Sequence, residues 1–290
     1  MEDMNRITFS VVIPFFRNKK HLENIIILLK FQTRSVDEII IVDDASNESI
    51  QDIVKKYNVT YFRMNRNSGV SIARNKGLEL SKSDVTIFID GDAYPELTMI
   101  DAFFDMYSKY WGDFVGIGGR AIECRILSKY DSWRARHLSQ DYGDFEKINV
   151  PYLFGVCCSY KTDFLENFKG FDSFFTMNVG EDYDLGIRLN KKNFKLAYSP
   201  NIVVNHQRFD TEESLQRSQY FWSYWELLIH KRNGISTLRP WLGHLRKIVI
   251  YSLSDFLSNL GNEFVCIGIK TFFCKFKGLA DAYKIQTKTR

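Results

Sequence analysis

The chain has 290 residues, 45% of them hydrophobic and 26% charged, with a net charge of +4. These values suit a soluble globular protein built as one large domain, or one domain with a smaller appendage. No run approaches the roughly 18 apolar residues of a membrane-spanning helix, and MEDMNRITFSVVIPFF reads as neither a signal nor a transit peptide. Five cysteines without paired metal-ligand spacing exclude a zinc-finger reading. With no secretory signal they lead us to expect a reducing compartment, the cytoplasm.

In chain order, Phe9–Phe16 is an apolar strand ending at Pro14. Residues 18–31 keep Leu22, Ile25, Ile26 and Leu29 at helical spacing. Glu38–Val42 is a second buried strand, which runs into Asp43 and Asp44. A short helix over 50–57, a strand over 60–63, an Asn67-Ser68-Gly69 turn and a helix over 70–81 carrying Arg74 and Asn75 follow. Val85–Ile89 is β-branched or aromatic throughout, as in a strand buried on both faces. It stops at Asp90-Gly91-Asp92, and Pro95 is expected to prevent the strand from continuing. Alternating strands and helices predict a parallel sheet with right-handed crossovers.

Paired acids at two strand ends, 43/44 and 90/92, fall where open α/β sheets bind ligands. Carboxylates suit Mg²⁺ or Mn²⁺ held together with a substrate's phosphates. A DGD turn that only reverses the chain is the plain alternative. The stretch FFRNKKHLEN has no glycine, so a Rossmann dinucleotide fingerprint is absent, as is a P-loop.

Beyond Pro95, residues 97–110 suit a helix and 114–120 a strand, and 128–150 read as an irregular loop over the crevice. A strand over 150–160 holds the vicinal pair Cys157-Cys158, read as packing. A short helix over 161–168 and a Gly170-Phe171-Asp172 turn precede an Asn178-Val179-Gly180 approach. A helix is expected from Asp184 onward, with the acids Glu181, Asp182 and Asp184 crowding its N-terminal end. Strand-like 197–204 leads to His206. Asp184 and Arg188, spaced i, i+4, are read as a helix-surface pair, and Trp133 and Tyr142 as packing or as platforms for an acceptor sugar.

Taken together, SVVIPFFRN, EIIIVDDAS, NSGVSIARNKGLELS, FIDGDAYP, GVCCSYKTDFLENFKGFD, GEDYDLGIRL and YSPNIVVNH resemble the family 2 glycosyltransferases in order and spacing over residues 8–208. The resemblance implies a GT-A fold, a Rossmann-like, mostly parallel sheet flanked by helices. It also implies inverting transfer of a sugar from a nucleotide donor, usually UDP-linked, to a hydroxyl of a saccharide, lipid-linked or protein acceptor. By it, Pro14, Phe15, Arg17, Asp43, Asp44, Arg74 and Asp90 serve the nucleotide. Asp92 and Asp90, with His206, serve Mn²⁺ or Mg²⁺. Asp182 is the catalytic base, with Glu181 its neighbour. Many relatives carry a further acid where Ala93 stands, so His206 or water is left to complete the metal shell. A buried structural histidine is the equal alternative for His206.

Two rival functions make demands that the chain does not match. A sugar-nucleotide pyrophosphorylase wants a glycine-rich basic loop after strand one, which VVIPFFRNKK lacks. A catalytically inactive nucleotide- or carbohydrate-binding module has no use for a base at Asp182.

The chain is thus expected to divide into a catalytic domain, 1–210, and a helical extension, 211–290. The extension holds 12 Lys and Arg against 6 Asp and Glu and is rich in aromatics. Helices are expected over 214–231, 240–260 and 262–277, the last two split at Gly261. Packing on the catalytic domain, peripheral contact with an anionic membrane at its inner face, and self-association are the three readings of this segment. Nucleic acid is not an expected partner.

Overall fold

The computed structural model describes residues 6–176, 179–258 and 262–285. The chain opens with β1 (Phe9–Phe15), α1 (Lys19–Lys30), β2 (Glu38–Asp43), α2 (Gln51–Tyr57), β3 (Thr60–Arg63), α3 (Val70–Leu80) and β4 (Val85–Ile89). It continues through β5 (Ala93–Pro95), α4 (Met99–Tyr110), β6 (Gly116–Glu123), α5 (Lys129–His137), β7 (Lys147–Ile148) and β8 (Cys157–Lys161). Then come α6 (Thr162–Asn167), α7 (Glu181–Lys191), β9 (Leu196–His206), α8 (Glu212–Arg232), α9 (Leu238–Leu257) and α10 (Asn262–Tyr283). Gly261 and Asn178, singled out in the sequence, lie outside the described residues, as do the last five residues of the basic tail.

Two units emerge. The first joins Met1–Cys124 to Gln140–Gln207, and the second joins Arg125–Ser139 to Arg208–Arg290.

In the first unit, all nine strands among the described residues form one sheet, in the order β3-β2-β1-β4-β8-β6-β9-β5, with β7 pairing β9 off this path. β3, β2, β1 and β4 are mutually parallel, and the direction reverses where β8 joins β4. Every residue of β4 is buried, as suits a strand covered on both faces, and its one polar side chain, Thr86, is bonded to Ser81 and Thr162. One core cluster packs α1 and α4 on one set of strand side chains (Leu22, Ile25, Phe103 with Val11, Ile13, Ile87). A second packs Leu78, Leu185 and Leu189 on the alternate set, Val12, Val42 and Phe88. Cys157 and Cys158 point into opposite clusters, both free and fully buried.

Three local expectations change. Pro95 does not end strand structure: Ala93–Pro95 forms β5, antiparallel to β9. It is the last strand in the sheet order, where a missing N–H breaks no ladder. Residues 128–150 are not one irregular loop. The Ser128 hydroxyl caps Asp131 N–H while Asp131 answers the Ser128 N–H, a capping box that starts α5, and β7 adds to β9. The acids of 181–184 lie within the first turn of α7, not ahead of it.

In the second unit α10 packs along α8 and α9. It buries Ile267, Thr271, Leu279 and Ala282. Gly278 lets the backbones meet, since a Cβ there would fall 2.3 Å from the Tyr220 carbonyl. Trp133 is buried in this unit with Leu215 and Ile267, so its ring packs. Arg134 pairs with buried Asp210.

Candidate active site

Parallel pairing of β1, β2 and β4 puts their C-terminal ends on one edge, and β1–β2 register sets Phe15 opposite Asp43. The Phe15 side chain belongs to the core, and its carbonyl accepts the Asp44 N–H at 2.7 Å. Pro14 is half-buried and Arg17 exposed. Asp43 is fully buried and accepts from Ser46 N–H (2.6 Å), Tyr61 Oη (2.8 Å) and Arg63 Nη1 (2.6 Å). Asp44 takes the Ser68 and Gly69 N–H groups, one on each oxygen, at 2.7 and 2.8 Å. The two carboxylates therefore fasten the end of β2 to β3 and to the loop before α3. Gly69 has φ +92, and a Cβ there would lie 2.6 Å from the Thr176 carbonyl. Only glycine fits that turn without strain.

Arg74, on α3, is almost fully buried. Its guanidinium joins Glu181 Oε1 (2.6 Å), Asp90 Oδ1 (2.7 Å) and the Gly155 carbonyl (3.1 Å). Gly155 also donates its N–H to Asp182 Oδ2 at 3.0 Å, and the Tyr183 N–H reaches Oδ1 at 2.7 Å. The backbone of one residue thus touches both the arginine and Asp182. A Cβ at Gly155 would sit 2.9 Å from Arg74 Nη2, so a side chain there displaces the guanidinium. Burial pushes the Glu181 carboxyl above its ordinary range, with Arg74 pulling it back. Burial raises Asp182 as well, opposed first by the Gly155 N–H. Glu181 Oε2 is buried without a hydrogen-bond partner among the described residues. Asp184 pairs with Arg188 at 2.9 Å, as its spacing predicts.

The third cluster is made by strand register. β5 and β9 set Ala93 opposite His206, and β6 and β9 set Glu123 opposite the same histidine. His206 Nε2 stands 3.4 Å from Asp92 Oδ1, and Nδ1 stands 3.1 Å from Glu123 Oε1. Burial opposes charge on the ring, but the carboxylates of Asp92 and Glu123 outweigh it and hold its pKa at about 10. No set of three His, Cys, Asp or Glu side chains shaped to hold a cation occurs among the described residues. What the site offers a cation is the Asp92 carboxylate and, once Nε2 gives up its proton, the His206 imidazole. Asp92 is 43% exposed and open to a ligand. Such a donor set fits a small divalent cation that completes its shell with water and substrate phosphate. Glu123 on the far ring nitrogen matches the carboxylate–histidine support of many metal sites.

Sequence reasoning assigned no role to Glu123 or Gly155. Glu123 had no signal, lying at the end of a strand expected to stop at 120. Gly155 opens GVCCSYKTDFLENFKGFD, so its segment was noticed but its peptide was not.

The family model described as Glycosyl transferase family 2 matches residues 10–168, more than half of the chain. The chain belongs to glycosyl transferase family 2. Asp182 and His206 lie beyond that matched stretch, so their placement rests on the geometry. Among curated members, the chain is 28% identical over 232 residues to the poly(ribitol-phosphate) beta-N-acetylglucosaminyltransferase TarP of Staphylococcus aureus (73% of this chain, 68% of TarP). It is 33% identical over 110 residues to the cholesterol galactosyltransferase of Borreliella burgdorferi (36% of this chain, 31% of that protein). In fold it is similar to the mannosyltransferase PcManGT of Pyrobaculum calidifontis, solved with GDP-Man and Mn²⁺. There the TM-score is 0.63 at 15% identity, covering 96% of this chain and 89% of that one. S. aureus TarS 1–349 with UDP gives a TM-score of 0.57 at 15% identity, covering 81% and 68%. This family 2 member is therefore a glycosyltransferase with the GT-A fold.

Arg74 is where this family member's site is most exposed to a single change. Removing its charge in Arg74→Met strands two carboxylates, Glu181 buried and Asp90 about one-third exposed. Breaking a buried pair costs about 3–5 kcal/mol, and the partial exposure of Asp90 points to the lower end. A urea melt is expected to show that loss. Arg74→Lys should recover only part of it, because an ammonium lacks the fork that reaches both acids. An unchanged midpoint in Arg74→Met would remove the arginine from its organising role.

Proposed function

We propose that the chain is an inverting, metal-dependent glycosyltransferase that moves a sugar from a nucleoside diphosphate, UDP by preference, to a hydroxyl acceptor in cell-surface polysaccharide or glycoconjugate synthesis. The observation that carries this reading is the coupling of Asp182, through the Gly155 backbone and Arg74, to Asp90, with Asp92 two residues further on and His206 of β9 3.4 Å from it. TarP, named for a poly(ribitol-phosphate) acceptor, supports the cell-surface setting. PcManGT with GDP-Man and Mn²⁺, TarS with UDP, and GalNAc-T7 with UDP, GalNAc and Mn²⁺ support a nucleotide-sugar donor and a divalent cation.

Asp92 and His206 would hold Mn²⁺ or Mg²⁺. When bound, the cation supplies Lewis-acid stabilisation of charge developing on the leaving diphosphate. Asp182 serves as the base that takes the acceptor hydroxyl proton as the oxygen forms its bond to the anomeric carbon and the nucleoside diphosphate departs. Two backbone N–H groups fix its carboxylate, and its raised pKa strengthens it as a proton acceptor. Asp43, Asp44 and the backbone at Pro14–Arg17 line the nucleotide side, each Asp44 oxygen retaining acceptor capacity beside its one backbone bond. Glu181, held by Arg74, keeps the guanidinium in place against Asp90. All these residues fall within 1–210, the catalytic domain of this reading, with 211–290 as its helical extension.

The alternative, an inactive binding module on the same scaffold, is separated from this reading by one assay. Purified protein is offered a panel of nucleotide sugars, with and without oligosaccharide acceptors, and free nucleotide is measured. Acceptor-stimulated release from one donor is expected. Binding of nucleotide with no release under any pairing would favour the inactive module.

A further inference from the structure

Helix α9 is turned the wrong way round for a surface helix. Of its 20 residues, those it buries are Pro240, His244 and Asp255. Leu238, Leu242, Leu245, Val249, Leu253 and Phe256 are instead 46–69% exposed. A surface helix ordinarily sets its apolar stripe against the core.

The rotation is fixed by polar anchors within its own unit. Asp255, with no exposure, takes His137 Nε2 at 2.6 Å and Arg136 Nε at 3.3 Å, both from α5. His244 meets Glu226 of α8 at 2.9 Å. Trp241 packs edge-on to Phe276 of α10, and Tyr251 edge-on to Trp133 of α5. Rolling the leucines inward would strand Asp255 and Glu226, so the outward stripe is the stable arrangement.

The six stripe residues follow 4-3-4-4-3 spacing, within about 80° of the helix circumference and along about 27 Å of its axis. Arg239 and Arg246 are exposed beside them. Neither is in an ion pair among the described residues. Asp255 is the only acid of α9, so the outer surface of the helix carries cations and no carboxylate. No helix of the described residues is long and apolar enough to cross a membrane.

We infer that α9 is a membrane-docking helix that lies in the headgroup plane of an anionic lipid surface, leucines down and Arg239 and Arg246 against the phosphates. Apolar side chains with flanking cations are the composition of such helices. The charge selects the lipid over a second copy of the chain. Isologous pairing of two α9 faces would set cations beside cations with no acid of that helix to answer them. The inference goes beyond glycosyl transfer and does not depend on it. It also narrows the membrane reading of the whole 211–290 extension to α9.

The test floats the full chain with vesicles of phosphatidylcholine alone or mixed with phosphatidylglycerol, beside light scattering without lipid. Each cation near an anionic surface is worth about fivefold, so about 25-fold tighter binding to the mixed vesicles is expected, weakened by salt. Arg239→Gln/Arg246→Gln should remove most of that preference. Leu245→Glu/Leu253→Glu should abolish flotation, with unchanged melting temperature because both sites face solvent. Failure of the wild type to float, or equal binding to both vesicles, overturns the proposal. So does an oligomer that the leucine variant dissolves, which would make a second copy the occupant. Donor-dependent nucleotide release, measured on the same samples, reports on the catalytic reading separately.

Discussion

Replacing Asp182 with Asn is expected to lower turnover about 10²–10⁴-fold, the usual worth of a positioned proton acceptor, while nucleotide affinity holds. The carboxamide keeps the shape of the side chain but cannot take the acceptor's proton. The nucleotide side is built from other strand ends, around Asp43 and Asp44. One of the two backbone donors on Asp182, Gly155 or Tyr183, loses its acceptor in the variant. That costs about 1–3 kcal/mol, so a melt belongs beside the assay. The wild type also has a pH signature. A base works only when ionised, and burial holds this carboxyl above its ordinary range. The rate should fall as pH drops through that raised value, placing the acid limb above the unperturbed aspartate value of about 4. The Asn variant should lose the limb. Near-normal turnover in Asp182→Asn would move the base elsewhere, Glu181 first. Joint collapse of turnover and nucleotide affinity would make Asp182 an organiser of the site.

The second large effect is expected from Asp92→Ala. Lewis-acid stabilisation of a departing diphosphate is worth several kcal/mol, so loss of the carboxylate, or chelation with EDTA, should lower transfer roughly 10²–10³-fold. Stability should fall only modestly, because this side chain is substantially exposed, Glu123 still answers the buried His206 ring, and the Asp92 carbonyl bond to the Gln207 N–H, at 2.8 Å, survives the substitution. Mn²⁺ binding, followed by calorimetry or by the loss of the free-ion electron paramagnetic resonance signal, reports on the site apart from turnover. Glu123→Ala should weaken that binding about 10–100-fold by freeing the imidazole to turn. Full activity in EDTA with no added cation would sink the metal assignment.

Much of the scaffold was written in local signals. A run such as Val85–Ile89 can satisfy its side chains only between two covered faces, and the spacing of Leu22, Ile25, Ile26 and Leu29 can bury one stripe only as a helix. The parallel four-stranded half, its crossovers and the acids at its strand ends follow from such windows of a few residues. So does the Asp184–Arg188 pair. Where the local signal misled, a neighbour in space decided: Pro95 is tolerated because β5 lies at the sheet edge, and 129–137 is helical because its capping box and Trp133 have a place in the helical unit.

The sequence by itself determined which chemistry-bearing residues the chain carries and on which strand and helix ends they sit. Only the tertiary structure decided how they are partnered. Arg74 and Glu181 are 107 positions apart and His206 and Glu123 are 83 apart. Both pairs exist because distant elements meet in one register, and a shift of one residue in β9 would turn His206 to the other face of the sheet. The rotation of α9 was hidden for the same reason. Its periodicity permits leucines inward or outward equally, and the choice belongs to His137, Arg136 and Glu226, which are not on the helix at all.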